Sequence, residues 1–283
     1  MYSRLDILNI VLSNYQRFLF YDASVSILKS RNFTHIHLFY VLFSQQYLKV
    51  LEDINHLESK IVSSEEKELY EKKCNGILDE YIDISGIISN ESIDNIRNVL
   101  SLSARISIEN LADILFSSQE LTESFSDFII AYNKLHKLFG AHISALLTEF
   151  HNTLSHLITA IVLKGQLETD SDNKKMAIIN RNIDKAVSHL KRGTKDSYKI
   201  LIKAAYKMYE KYNKQIKLPD GFREKFIQIR SEEIIHLSNK SNHKNIHNSI
   251  KELSEELIEC LKINKNQAFK EQFVKLLEPY MLM

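Results

Sequence analysis

Residues Leu138 to Leu163 read LFGAHISALLTEFHNTLSHLITAIVL, and Glu149 is the only formal charge among them. The run has the length of a long helix but no charged face to turn to water. A surface helix keeps a polar stripe, whereas a helix covered on all sides does not. The segment is therefore expected to form the central helix of an all-α domain. Glu149 and the histidines at 142, 151 and 156 are then the groups most in need of partners, because a polar group taken from water without a hydrogen bond is costly. A membrane span of this length is disfavoured, since a Glu, three His, an Asn and several Ser and Thr would be expensive in lipid. No membrane partner is expected.

Composition narrows the fold further. Six Gly and two Pro in 283 residues leave too little punctuation for β-sandwiches, Rossmann loops or disordered linkers. A chain of this length can bury a core in one large or two smaller domains. The net charge of +1 selects no partner. Cys74 and Cys260 lie far apart without metal-ligand spacing, which favours a reduced, intracellular protein. The opening MYSRLDILNIVLSNYQRF lacks a signal-peptide layout, so a cytoplasmic location is expected.

Periodicity predicts a first helix over about 4–28, with Leu5, Leu8, Val11, Leu12, Tyr15 and Leu19 at helical spacing. A second is expected at about 35–61. Ser63 and Glu66 suggest a capping box for a strongly acidic third helix at about 64–84. Short helices are expected near 91–100 and 107–116. One long helix is expected from Gln119 to Gly165, with a bend at Gly140, and a second over about 175–214. The polar stretch 166–175 links the two. LPDG at 218–221 is a turn signal, because Pro presets φ and Gly accepts positive φ. Helices at 222–237, 248–262 and 266–278 follow, with a polar loop at 239–249. Short links imply antiparallel neighbours. The expected architecture is a multi-helix bundle with two long central antiparallel helices. It divides into an N-terminal helical region (1–116) and a long-helix bundle with C-terminal helices (117–283), or forms one continuous domain.

Two polar triplets stand out. Glu149, Asn152 and His156 lie at i, i+3 and i+7 on one long helix, and His189, Arg192 and Asp196 repeat that spacing on the next. Antiparallel packing would set Glu149 against Arg192, and His156 against Asp196 or His189. Glu149, His156, His189 and Arg192 are thus candidate catalytic residues. A buried network that fixes helix register fits the same pattern, because a buried carboxylate must find a cation or protonate. The 149/152/156 face also lies opposite the main apolar stripe of its helix, towards a second layer, another subunit or a cleft.

Lys195, Lys199, Lys203, Lys207 and Lys211 form an uninterrupted i+4 ladder. Successive ammonium groups would lie roughly 6 Å apart along the axis, and like charges so placed oppose helix formation unless something acidic lies against them. Residues 174–217 hold 13 Lys/Arg against 3 Asp/Glu, so the charge balance of the chain is strongly segregated. Tyr198, Tyr206, Tyr209 and Tyr212 interleave and would suit stacking or cation–π contact. One reading is a surface that binds the phosphates of RNA or another polyanion. The other is a solvated face, or one neutralised by the acidic third helix.

Arg31-Asn32-Phe33-Thr34-His35-Ile36-His37 resembles the active-site signature of the HEPN superfamily, an Arg followed by a polar residue and, a few positions on, a His. Many HEPN domains are metal-independent helical ribonucleases of bacterial defence and toxin systems. The resemblance implies Arg31 and His37 as catalytic residues, an RNA substrate and a homodimer across which two such motifs meet. Such chemistry asks for a His to move a ribose 2′-OH proton and an Arg to hold phosphate.

Other motifs are set aside. Glu233-Ile-Ile-His236 is one E-x-x-H step, but di-iron bundles need two such steps and two further carboxylates. No Walker loop, dinucleotide fingerprint, G-x-S-x-G elbow, H-E-x-x-H or zinc ribbon is present. No metal and no cofactor is expected. Two functions remain: a nucleic-acid-associated protein of the HEPN-like ribonuclease type, or a non-catalytic helical scaffold that forms a homo-oligomer or binds a protein partner.

Overall fold

The structure is a computed structural model that describes residues 2–28, 60–85, 106–139, 143–167, 172–211, 218–235 and 243–263. It is all-α. Eight helices are found among the described residues: α1 (Arg4–Leu28), α2 (Ser64–Ser85), α3 (Ile108–Phe116), α4 (Gln119–Phe139), α5 (Ser144–Gly165), α6 (Asn173–Lys211), α7 (Phe222–Ile235) and α8 (His243–Ile263). Two short antiparallel strands, β1 (Tyr2–Ser3) and β2 (Ile61–Val62), pair Tyr2 with Val62 and Ser3 with Ile61. Among the described residues no helix is long and apolar enough to cross a membrane.

Side-chain caps set several helix starts. Ser3 and Asp6 cap α1 reciprocally: Asp6 Oδ2 accepts from the Ser3 N–H at 2.6 Å, and Ser3 Oγ accepts from the Asp6 N–H at 3.2 Å. Ser63 Oγ accepts from the Glu66 N–H at 3.2 Å and opens α2. Ser107, extended at φ −88 and ψ 151, does the same for α3. Asp172 Oδ1 accepts from the Lys175 N–H at 3.2 Å and opens α6. Before α7, the Phe222 N–H reaches the Pro219 carbonyl at 3.1 Å across a turn that holds Gly221 at φ 65.

The chain divides into two compact units, Met1–Ile129 with Leu147–Leu190, and Ile130–Leu146 with Lys191–Met283. In the first, α1 packs on α2 and α3. Its buried face carries Leu5, Leu8, Val11, Leu12, Tyr15 and Phe18. Phe150 of α5 stacks on Phe128 of α4 at 5.2 Å and meets Phe125 edge-on at 6.4 Å. In the second, α7 packs on α8. Phe222 and Ile229 are buried on α7, as are Ile246, Ile250, Leu253 and Leu257 at helical spacing on α8.

Several sequence expectations change. The single helix expected over 119–165 is two helices, with Phe139 ending α4 and Ser144 opening α5. Ile143, just before Ser144, is not helical, and its carbonyl accepts from the Leu146 N–H at 3.1 Å as α5 begins. The polar loop expected at 239–249 gives way to α8 from His243, because the apolar spacing of that helix begins at Ile246, which is buried. Ile61 lies in a strand, not at the end of a second helix. The rest of that helix and the helices expected at 91–100 and 266–278 lie outside the described residues.

Candidate active site

α5 brings few charges, and two of its threonine hydroxyls are satisfied within the helix. Thr153 Oγ1 donates to the Glu149 carbonyl at 3.0 Å, and Thr159 Oγ1 to that of Ser155 at 2.9 Å. Of its 22 residues only Ala145, Thr159 and Gly165 are exposed. Phe150, Leu154, Leu157 and Ile161 are buried, while Glu149, Asn152 and His156 are half-buried on another side. That side meets the first part of α6.

Two polar bridges join the helices there. His189 Nδ1 lies 2.6 Å from Glu149 Oε2, and His156 Nδ1 lies 2.9 Å from Asn182 Oδ1. The step from Glu149 to His156 equals that from His189 back to Asn182, so these segments run antiparallel. The two imidazoles stack with centroids 5.4 Å apart and planes 21° from parallel. The Glu149 and His189 side chains are each 16 % exposed, so the pair is shielded but reachable.

The hydrogen bonds assign the ring protons. Asn182 Nδ2 donates to the Ile178 carbonyl at 2.9 Å, which turns Oδ1 towards His156. An amide oxygen only accepts, so His156 Nδ1 carries the proton, and in the neutral ring Nε2 holds the lone pair. The Glu149 carboxylate likewise accepts from His189 Nδ1. Each ring therefore presents Nε2 as its remaining nitrogen. Burial pushes the His156 imidazole below its ordinary value of 6.5, and His189 and Lys185 push the same way against the opposing bond to Asn182.

The sequence candidates fare differently. Glu149, His156 and His189 meet in one cluster. His189, one helical turn before Arg192, is bonded to Glu149. His156 takes Asn182 as its bonded partner and His189 as its stacking partner. Arg192 is exposed and belongs to the second unit. His151 is bonded to the buried Tyr15 hydroxyl, and the rings meet edge-on at 5.7 Å. Arg31 and His37 lie outside the described residues. Asn182 was missed as a site residue, although the Arg181-Asn182 step before His189 is visible in the sequence.

The basic face of α6 lies in the second unit and is in two parts. Lys195 and Lys199 both place Nζ 2.6 Å from Glu233 Oε1 on α7, and Arg230 pairs with Oε2. The acid against this part of the ladder thus comes from α7. Burial raises the Glu233 pKa, but the two lysines outweigh it and hold the carboxyl at about 2, below its ordinary 4.5. Lys203 and Lys207 are exposed, and Lys211 ends the helix. Of the tyrosines offered for base stacking, Tyr198 is buried, and Tyr206 stacks on Phe222 and Phe226 at 6.5 Å each. Both rings serve the fold.

Among the described residues no three or more His, Cys, Asp or Glu side chains converge as a metal site. Comparison with protein-family models, with curated proteins and with solved structures finds no match to this chain.

Proposed function

We propose that the protein is a metal-independent, HEPN-like ribonuclease whose reacting pair is His156 and His189. The observation that carries the reading is the stack of two imidazoles whose Nδ1 atoms are each tied to an acceptor. Cleavage of RNA by its own 2′-OH needs one group to remove the hydroxyl proton and another to protonate the departing 5′ oxygen. His156, held neutral by its surroundings, is the base through Nε2. His189 is the acid, and Glu149 orients it through Nδ1. The exposed lysines of α6 supply affinity for phosphates. Arg31 and His37, by resemblance, are further candidates for phosphate binding and proton transfer.

The experiment is cleavage of a labelled oligouridylate by the purified chain. His156→Ala and His189→Ala should each reduce it by roughly a hundredfold or more, with unchanged helical circular dichroism. Cleavage that persists in both variants removes this pair from the reaction.

A second reading, a non-catalytic scaffold or homo-oligomer, draws on the same two bridges, because they also fix the register of α5 on α6. It expects both variants to lose stability and the native chain to show no cleavage.

A further inference from the structure

We propose that Glu233 is a built-in mask on the phosphate-binding face: α7 lays a carboxylate where a phosphate would otherwise sit, and withholds Lys195 and Lys199 from polyanions. This rests on reading the α6 basic face as a polyanion surface.

The geometry is that of a small anion site already filled. Two ammonium groups approach one carboxylate oxygen at 2.6 Å each, and a guanidinium takes the other oxygen. Lys and Arg converge in the same way on phosphate oxygens. The Glu233 side chain is only 8 % exposed, whereas those of Lys195 and Lys199 are 27 % and 21 % exposed. The lysines therefore form the outer wall of the cluster, within reach of a ligand once the carboxylate lets go. Three cations surround one anion, so the cluster still attracts polyanions.

Mere neutralisation of a crowded stripe would be expected to treat the whole ladder alike. Here, among the described lysines, the ties are at Lys195 and Lys199. Lys203 and Lys207, on successive turns of the same helix, stay exposed. The stripe thus has an open end that meets the ligand and a closed end that a ligand must compete for. The competitor belongs to the same chain, so it acts at a high effective concentration. The carboxyl is held ionised down to about pH 2, so the closed end does not open by protonation near neutrality.

Binding of a fluorescent oligouridylate to the full chain, across a salt series, tests this. Glu233→Gln keeps the shape and removes the charge. The mask predicts that E233Q binds about tenfold tighter at low salt, with log K against log salt steeper by roughly 1.4, the increment for two more contacts to a single strand. Lys199→Gln should change affinity less than twofold in the native chain but severalfold in E233Q, while Lys203→Gln weakens both. Native-like affinity and slope in E233Q overturn the mask while leaving the polyanion surface intact. If neither chain binds, the surface fails and the mask with it. Should E233Q not fold, Lys199→Gln against Lys203→Gln in the native chain decides: equal losses overturn the mask.

Discussion

At His156 the hydrogen-bond geometry decides which ring nitrogen can react. Asn182 is itself anchored to the Ile178 carbonyl, so it presents only an acceptor, and the lone pair is left on Nε2. Cleavage should therefore fall on the acid side, as His156 takes up a proton, with a limb below its ordinary 6.5. Asn182→Leu removes the bond that opposes the downward shift. It should move that limb to still lower pH and cut kcat about tenfold or more, because the other tautomer becomes accessible. The pH–rate profile reads both effects, and an unchanged limb would detach Asn182 from the ring's chemistry. Across the stack, Glu149→Ala strips the acceptor from His189 Nδ1 in a shielded place. The expected cost is about 1–3 kcal/mol in urea unfolding, and a loss near zero would mean that water serves as well. At Gly221, φ is 65 and an added Cβ would meet nothing within 4 Å. Gly221→Ala should therefore cost about 1 kcal/mol through backbone strain alone, visible as a lower urea midpoint.

Among the elements, α7 carries the Glu233 ion cluster. The Glu233 carboxyl is held at about 2, well under its ordinary 4.5. A depressed carboxyl contributes stability that is fully present above the unfolded value and is lost as pH falls through the folded one. The contribution, about 2 kcal/mol after allowance for solvent screening, should thus disappear between about pH 4.5 and pH 2. E233Q should flatten the urea midpoint over that window, and an equally steep decline in E233Q would contradict the assignment. Several helix limits were legible in the sequence because caps and turns are local chemistry: Ser63 and Glu66, and the Pro219 to Gly221 turn, act over a few residues. Pairings between helices were less legible. The triplet spacing marked the faces of α5 and α6 that meet, but the Glu149–His189 and His156–Asn182 bonds depend on how whole faces pack. Glu233 looked like half of a metal motif, and only its place against Lys195 and Lys199 gives it a role. The two-residue strands carry no periodic signal that sequence could offer.

For the whole molecule, composition and periodicity were enough to establish the all-α class, because low Gly and Pro content and helical spacing are properties of the entire chain. The division into two units was beyond such reasoning, since α4, α5 and α6 each contribute residues to both. One unit holds the paired imidazoles, and the other holds the basic face. At this scale RNA affinity should fall steeply with salt, and Lys203→Glu with Lys207→Glu should flatten that dependence. The most direct test is the product itself. The purified chain is incubated with an oligouridylate in excess EDTA, and the fragments are read by mass spectrometry. Attack by the neighbouring hydroxyl predicts 2′,3′-cyclic phosphate ends, and no cleavage of the 2′-deoxy analogue. Intact RNA, or equal cleavage of the deoxy strand, would contradict a proton-transfer role for His156 and His189.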